Sequence, residues 1–384
     1  MNLKKLRVAW VFPSLKGGNY WHPILSEYAN SVSEIFVFTG EWEGYSEGFE
    51  NSFPVQVVGK TKVFASKDAE MYTYKFSLVS PKIILHLKKY RPHVIFTSGF
   101  SIWTLLVLLL KRIYQWKVVI VYDGSSPNID FRNSTIRTWI RRQAGRSADS
   151  IITNSSAGKE YISEYLRINS EKVFHRPYQV PANNALLRNS NLAKKNGKLS
   201  NRMIFLFVGQ LIPRKGLMYL LQACQQIKSL GRGHEFILQV VGQGPQEDEL
   251  KAYCMQHGLP VEWIGWVDYG AIGTCFHNAN VFVFPTLEDT WGMVVLEAMA
   301  FGKPVICSKG AGASELIQDG QNGFLVESKN FHEIVNVMLK FLECPNMVDQ
   351  MGEASKLVIS KHTPELAKQF LLDVTKIVVT TAER

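Results

Sequence analysis

The sequence predicts an α/β protein of two doubly wound domains, and three observations carry that prediction. Its 384 residues exceed what one hydrophobic core usually serves, so two domains of roughly 150–200 residues each are expected. Short β-branched or aromatic runs alternate with helical stretches, the pattern of a parallel sheet covered on both faces. That rhythm stops at Val180 to Asn201, a segment rich in Asn, Ser and Lys with linker composition, and then restarts.

In the first half the expected strands are Leu6–Phe12, Ile35–Thr39, His93–Thr97, Val118–Tyr122 and Ser150–Asn154. In the second they are Met203–Val208, Phe236–Gly242, Val261–Ile264, Val281–Pro285, Pro304–Cys307 and Gly323–Val326. The first domain is expected over 1–190 and the second over 200–362. The segment 363–384, helical in period from Pro364 to Ala382, is expected to pack back on the first domain. Doubly wound sheets bind ligands at the carboxyl ends of their strands, so the function is expected in a cleft between the domains. The most apolar run, Ile102 to Leu110, stops at Lys111-Arg112 after about half of the ~20 residues a membrane span needs, and reads as a buried helix.

Charge divides the chain. Residues 1–200 hold 28 Lys and Arg against 14 Asp and Glu, whereas residues 201–384 hold 15 against 19. A basic half attracts nucleic acid, anionic lipid or phosphorylated substrates. The first of these is set aside because no nucleic-acid-binding module accompanies the charge. Five cysteines, an odd number without C-x-x-C spacing, read as reduced thiols of a cytoplasmic protein. The apolar stretch Val8–Phe12 ends at Pro13-Ser14, too short for a signal-peptide core.

Chemistry concentrates in the second half. In Val283–Ala300 a strand ends at Pro285, a polar loop follows, and Asp289 or Thr290 is placed to cap a helix running through Glu297. A carboxylate in an apolar helix needs a partner or a ligand hydroxyl. The helix start presents backbone N–H groups at Gly292, Met293 and Val294, with the positive end of the dipole, to an anion or a sugar oxygen. The plain structural alternative makes Asp289 only a cap and Glu297 only an internal ion-pair member. A second signal, Gly209-Gln210-Leu211-Ile212-Pro213-Arg214-Lys215-Gly216, places two adjacent cations after a strand and a glycine turn. Together they suit a diphosphate, though a solvated basic loop is the commoner fate of such a pair. At Gly17-Gly18 a glycine pair follows the first strand, either a close backbone approach to phosphate or sugar or a plain turn; His22 beyond it reads as a structural histidine.

These motifs together resemble the family 4 retaining glycosyltransferases of the GT-B fold. The resemblance covers nearly the whole chain and is densest from Met203 to Val326, through Gly209–Gly216, Val241–Pro245, Asp289–Ala300, Gly312–Ile317 and Asp319–Gly323. It implies that Arg214 and Lys215 hold the diphosphate, that Glu297 binds the ribose hydroxyls, and that the Gly292–Val294 amides touch sugar or phosphate oxygens. Two departures stand out. Asp289 occupies the place of the first Glu of the family's E-x7-E motif, with Glu288 beside it. Where many relatives carry a sugar-contacting His, this chain reads Tyr122-Asp123-Gly124, which leaves Asp123 or Tyr122 for that contact, or Asp123 as a turn residue.

The resemblance further implies a retaining, metal-independent hexosyl transfer from a UDP- or GDP-linked donor to a saccharide or lipid-linked saccharide, in cell-surface polysaccharide or glycolipid synthesis. No Asp-x-Asp metal motif is present. An anionic membrane surface is a further partner that two basic tracts admit, Lys60 to Arg91 and Arg132 to Arg146, the second carrying Trp139 and Ile140. Competing readings are an epimerase or phosphorylase of the same fold and a non-catalytic bilobal sugar-binding protein.

Overall fold

The computed structural model describes residues 5–16, 18, 20–46, 48–59, 62–65, 75–177 and 202–380. The chain folds as two compact units, Met1–Val180 with His362–Arg384, and Pro181–Lys361. The linker and boundary expected near 185–200 lie outside the described residues.

In the first unit the strands are β1 (Arg7–Phe12), β2 (Glu34–Thr39), β3 (Val55–Val57), β6 (Val94–Ser98), β7 (Lys117–Tyr122), β8 (Ser150–Thr153) and β9 (Val173–His175), with an antiparallel pair β4 (Lys62–Ala65) and β5 (Lys75–Leu78) outside the main sheet. The main sheet is parallel throughout, in the order β3-β2-β1-β6-β7-β8-β9. Successive residues of a strand point to opposite faces, so Val8 and Trp10 serve one core while Ala9 and Val11 serve another. On the first face lie α1 (Trp21–Ala29) and the last helix, Pro364–Thr380; on the second lie α2 (Ile83–Tyr90) and α3 (Ile102–Tyr114). Trp10 anchors the first face, stacked on Phe96 with ring centroids 4.2 Å apart. The last helix is tied to α1 by a buried hydrogen bond of 2.7 Å between the Tyr28 and Thr375 hydroxyls and by an ion pair of 3.1 Å between Lys368 and Glu27.

One expectation in this unit needs correction. The Ile102–Leu110 run belongs to a longer helix that is only half buried: Trp103, Thr104 and Val107 face the sheet while Leu109 is 75% exposed. A helix covering one side of a sheet has an outer face, and here that face is apolar. The arginine tract Arg132 to Arg146 is partly turned inward, with Arg137 and Arg146 exposed. After α4 (Pro127–Asp130), Arg132 pairs with buried Asp130 at 2.9 Å. On α5 (Thr135–Ser147), Arg141 donates to the Asp130 carbonyl at 2.7 Å and Arg142 to the Leu166 carbonyl at 2.9 Å. His22, read as a structural histidine, is buried and accepts from the Ser46 N–H at 2.9 Å through Nδ1, while its buried Nε2 has no partner among the described residues.

Beyond α6 (Ser156–Glu160), the second unit carries β10 (Met203–Val208), β11 (Phe236–Val241), β12 (Val261–Gly265), β13 (Val281–Phe284), β14 (Val305–Ser308) and β15 (Gly323–Val326). They form a parallel sheet in the order β12-β11-β10-β13-β14-β15. The helices are α7 (Leu217–Ser229), α8 (Glu247–His257), α9 (Ile272–Asn278), α10 (Met293–Ala300), α11 (Phe331–Glu343) and α12 (Met347–Ile359), and the last helix of the chain is α13. Strand order reverses between β10 and β13, which pair at Phe205↔Val281 and Leu206↔Phe282. At such a reversal the loops of a doubly wound sheet usually flank a crevice that holds the ligand. No helix among the described residues is long and apolar enough to cross a membrane.

Candidate active site

The loop after β10 and the loop after β13 flank this crevice and are knitted together by their backbones. The Arg214 carbonyl accepts from the Leu287 N–H at 2.8 Å and from the Thr286 hydroxyl at 3.0 Å. Gly216, at φ +68°, permits the approach: a Cβ there would stand 2.1 Å from the Pro285 carbonyl oxygen. A third loop, after β14, fixes Asp289, whose N–H donates to the Gly310 carbonyl and whose carbonyl accepts from the Gly312 N–H, both at 2.9 Å.

Three charged side chains meet here. Lys215 Nζ lies 2.5 Å and Arg214 Nη1 3.2 Å from the same oxygen, Asp289 Oδ2, and all three side chains are 12–14% exposed. Arg214 also donates to the Glu288 carbonyl at 2.8 Å, and Lys215 Nζ sits 5.1 Å from the centroid of the Phe284 ring. Burial works to raise the Asp289 pKa, but Lys215 and then Arg214 outweigh it and hold the carboxyl below its usual value. Two cations thus share the one Asp289 carboxylate.

Asp289 is therefore a counter-ion, correcting the expectation that it or Thr290 caps the following helix. α10 begins at Met293, with Gly292 at φ +99° as its cap residue and no side-chain cap. Its first backbone bond runs from the Val295 N–H to the Gly292 carbonyl at 2.9 Å, so the Met293 and Val294 N–H groups are among those a helix start leaves to other acceptors, whereas the Trp291 N–H before them donates to Asp289 Oδ1 at 3.3 Å. A side chain at Gly292 would press on Phe284, 2.8 Å away. Gly209, at the end of β10, is under no such constraint: a Cβ there would meet Phe207 at an ordinary 3.4 Å.

Glu297 lies four residues into α10, about 6 Å along its axis from Met293. It is buried, and its Oε1 accepts from the Tyr269 hydroxyl at 3.2 Å. Among the described residues no cation pairs with it, so the internal ion pair entertained from sequence is absent there. Burial pushes its pKa up to about 7, against the smaller opposing pull of the Tyr269 hydroxyl. The second unit thus assembles Arg214, Lys215, Asp289, Gly209, Gly292, Met293, Val294 and Glu297 on β10, β13 and α10 or the loops that leave those strands.

The remaining expected residues belong to the first unit. Gly18 follows β1, its N–H donating to the Leu15 carbonyl at 3.0 Å; Gly17 lies outside the described residues. Asp123 follows β7, half-buried, before a turn at Gly124 with φ +134°. Tyr122 is committed elsewhere, donating to Asp130 at 2.6 Å.

Comparison with known proteins gives the chain a lineage. A model of the glycosyltransferase family 4 matches residues 19–177, and one of the glycosyl transferases group 1 matches residues 189–358. The chain belongs to glycosyltransferase family 4. Among its relatives, an alpha-D-kanosaminyltransferase of Streptomyces kanamyceticus is 25% identical, covering 63% of this chain and 64% of its own. The capsular polysaccharide biosynthesis glycosyltransferase CapM of Staphylococcus aureus is 31% identical over 47% of this chain and 48% of its own. The chain thus spans about half to two-thirds of these relatives' lengths. The structure of Anabaena HepE in complex with UDP and glucose has the same fold, with a TM-score of 0.72 at 18% identity over 97% of this chain and 99% of that one.

In this family 4 glycosyltransferase, sequence reasoning missed Tyr269, Thr286, Gly216 and Gly310. Tyr269 lies between β12 and α9, with no motif around it to signal that its hydroxyl reaches Glu297. Gly216 and Gly310 were visible as glycines, but the carbonyl each must admit belongs to a loop distant in sequence.

Proposed function

We propose that this glycosyltransferase moves a hexose-type sugar, with retention at the anomeric carbon, from a UDP- or GDP-linked donor to a saccharide or lipid-linked saccharide in cell-surface polysaccharide or glycolipid synthesis. The observation that carries the reading is the convergence of Arg214 and Lys215 beside the start of α10, at the crevice where the strand order reverses. Support comes also from the capsular polysaccharide role of the Staphylococcus relative and from the UDP and glucose bound by HepE.

In this reading the diphosphate takes both cations and the Met293–Val294 amides, while Glu297 accepts hydrogen bonds from the ribose. Asp289, released from part of its ion pairing, or its neighbour Glu288, receives a sugar hydroxyl. The bond from the anomeric carbon to the diphosphate breaks as the acceptor oxygen bonds to that carbon from the same face. The acceptor's proton passes to the departing phosphate, so no side-chain base is needed. Preorganised cations stabilise the charge that grows on the leaving group, the role a metal ion would otherwise fill. A cytoplasmic placement is part of the reading, supported by five free cysteines.

The test is turnover of UDP- and GDP-hexoses with saccharide acceptors. Lys215→Ala and Glu297→Ala are each expected to cut turnover by roughly 10²-fold or more, the scale seen when one preorganised charge-stabilising group is removed, with circular dichroism unchanged. Near-normal turnover by either variant overturns the assignment.

A further inference from the structure

One face of the first unit carries none of the residues named for the donor site. The helices α2, α3 and α5 cover the same side of the sheet, with α3 between the other two, and none of the three contains an Asp or Glu. Their outer surfaces carry large apolar side chains among the cations: Leu85, Leu109, Ile113, Ile136 and Trp139 are all exposed, Leu109 and Ile113 by 75% and 71%. Leu109 and Ile113 are four residues apart, and Ile136 and Trp139 three, so each pair forms a row along its helix. A groove of about 1040 Å³ runs between the ends of α2 and α3, lined by Leu85, Lys88, Lys89 and Ile113 among others.

Cations frame this surface. Asp149 pairs with both Lys111 and Lys117, at 2.7 and 3.6 Å. Lys88, Lys89, Arg112 and Arg146 are exposed and make no ion pair among the described residues. Large apolar side chains left in water together mark a surface meant to be covered. A protein partner would have to supply a matching acidic rim and an apolar centre. A bilayer with anionic headgroups supplies both, taking apolar side chains below the headgroups and cations at their phosphates.

We propose that the α2–α3–α5 face docks on an anionic lipid surface, with Leu109, Ile113, Ile136 and Trp139 entering the headgroup region and Lys88, Lys89, Arg112 and Arg146 binding headgroup phosphates. The docking rests on the first unit alone and does not depend on the donor-site assignment. It replaces the inward-turned Arg132, Arg141 and Arg142 with residues that do face solvent.

Full-length protein is sedimented with vesicles of phosphatidylcholine alone or mixed with phosphatidylglycerol. Binding is expected only to the mixed vesicles, with roughly a fivefold gain for each cation engaged and a loss as salt screens the charges. The double variant Lys88→Glu, Lys89→Glu is expected to lower binding at least tenfold. Ile113→Ser with Trp139→Ser should lower it similarly, with circular dichroism and nucleotide-induced thermal shift unchanged. Absence of binding to the mixed vesicles, or equal binding by all forms, overturns the proposal. Self-association of the wild type that Ile113→Ser with Trp139→Ser abolishes, without vesicle binding, would assign the face to a second copy and also overturn it.

Discussion

Lys215 Nζ and Asp289 Oδ2 stand 2.5 Å apart, joining the loops that leave β10 and β13. The pair is mostly buried, with Arg214 as a second cation on the same oxygen. The carboxylate of Asp289 thus occupies the two cations that the proposed function gives to the diphosphate.

Asp289→Asn leaves two largely buried cations without their counter-charge. We expect a loss of about 3 kcal/mol of stability, the usual consequence of removing one member of a buried pair. The nucleoside diphosphate should then restore more stability than it adds to the wild type, because its phosphates replace the missing anion. Thermal unfolding with and without UDP or GDP checks this; an unchanged ligand-induced shift would mean the diphosphate binds elsewhere.

Glu297 predicts a pH dependence of opposite sign to that of Asp289. Its pKa in the folded chain, raised to about 7 from an ordinary 4.5, means the folded state keeps a proton the unfolded state releases. Its contribution is therefore fully present below pH about 4.5 and is lost as pH rises through about 7. The loss is roughly 3 kcal/mol. Denaturant unfolding of wild type and Glu297→Gln between pH 5 and pH 8 should show the variant gaining relative stability with pH. Asp289, held below its usual value, contributes in the other window, losing its stabilisation as pH falls through that lowered pKa.

The same proton governs binding. If ribose hydroxyls donate to an ionised Glu297, nucleotide affinity should rise between pH 6 and pH 8, and Glu297→Gln should flatten that rise. Calorimetry in buffers of different ionisation enthalpy would detect the released proton; its absence rules the ribose contact out.

Gly216→Ala forces a Cβ to within 2.1 Å of the Pro285 carbonyl at a φ of +68°. Strain of this kind costs on the order of 1–3 kcal/mol, and the relief available is to part the two loops. Lower thermal stability together with weakened nucleotide binding is expected. A variant as stable as wild type, with undiminished binding, would show that the loops need not be held so closely.

If Arg214 and Lys215 neutralise the leaving group by themselves, turnover should survive exhaustive chelation with EDTA to within about twofold. Loss of turnover on chelation, restored by a divalent ion, would replace this account.

Much of the fold was legible because parallel strands buried on both faces write themselves as apolar runs. Val118–Tyr122 and Met203–Val208 differ from the observed strands by at most one residue. The expected strand end at Pro285 shortens to Phe284, and β3, β9 and the pair β4 and β5 escaped notice, being three or four residues long. Of the site, the types and spacing of Arg214, Lys215, Asp289 and Glu297 could be read directly. Their relationships could not: Asp289 looks like a helix cap in sequence, since a polar residue before an apolar helix is the usual cap signal.

By itself the sequence determined the two-domain α/β class, the family and which residues could carry charge chemistry, because periodicity and motif spacing are local properties of the chain. Only the tertiary structure decided that Asp289 neutralises Lys215 and Arg214, that Tyr269 reaches Glu297, and that Arg132, Arg141 and Arg142 turn inward. Each of those outcomes depends on which loops the strand order brings together, and on the cost of burying a charge without a partner.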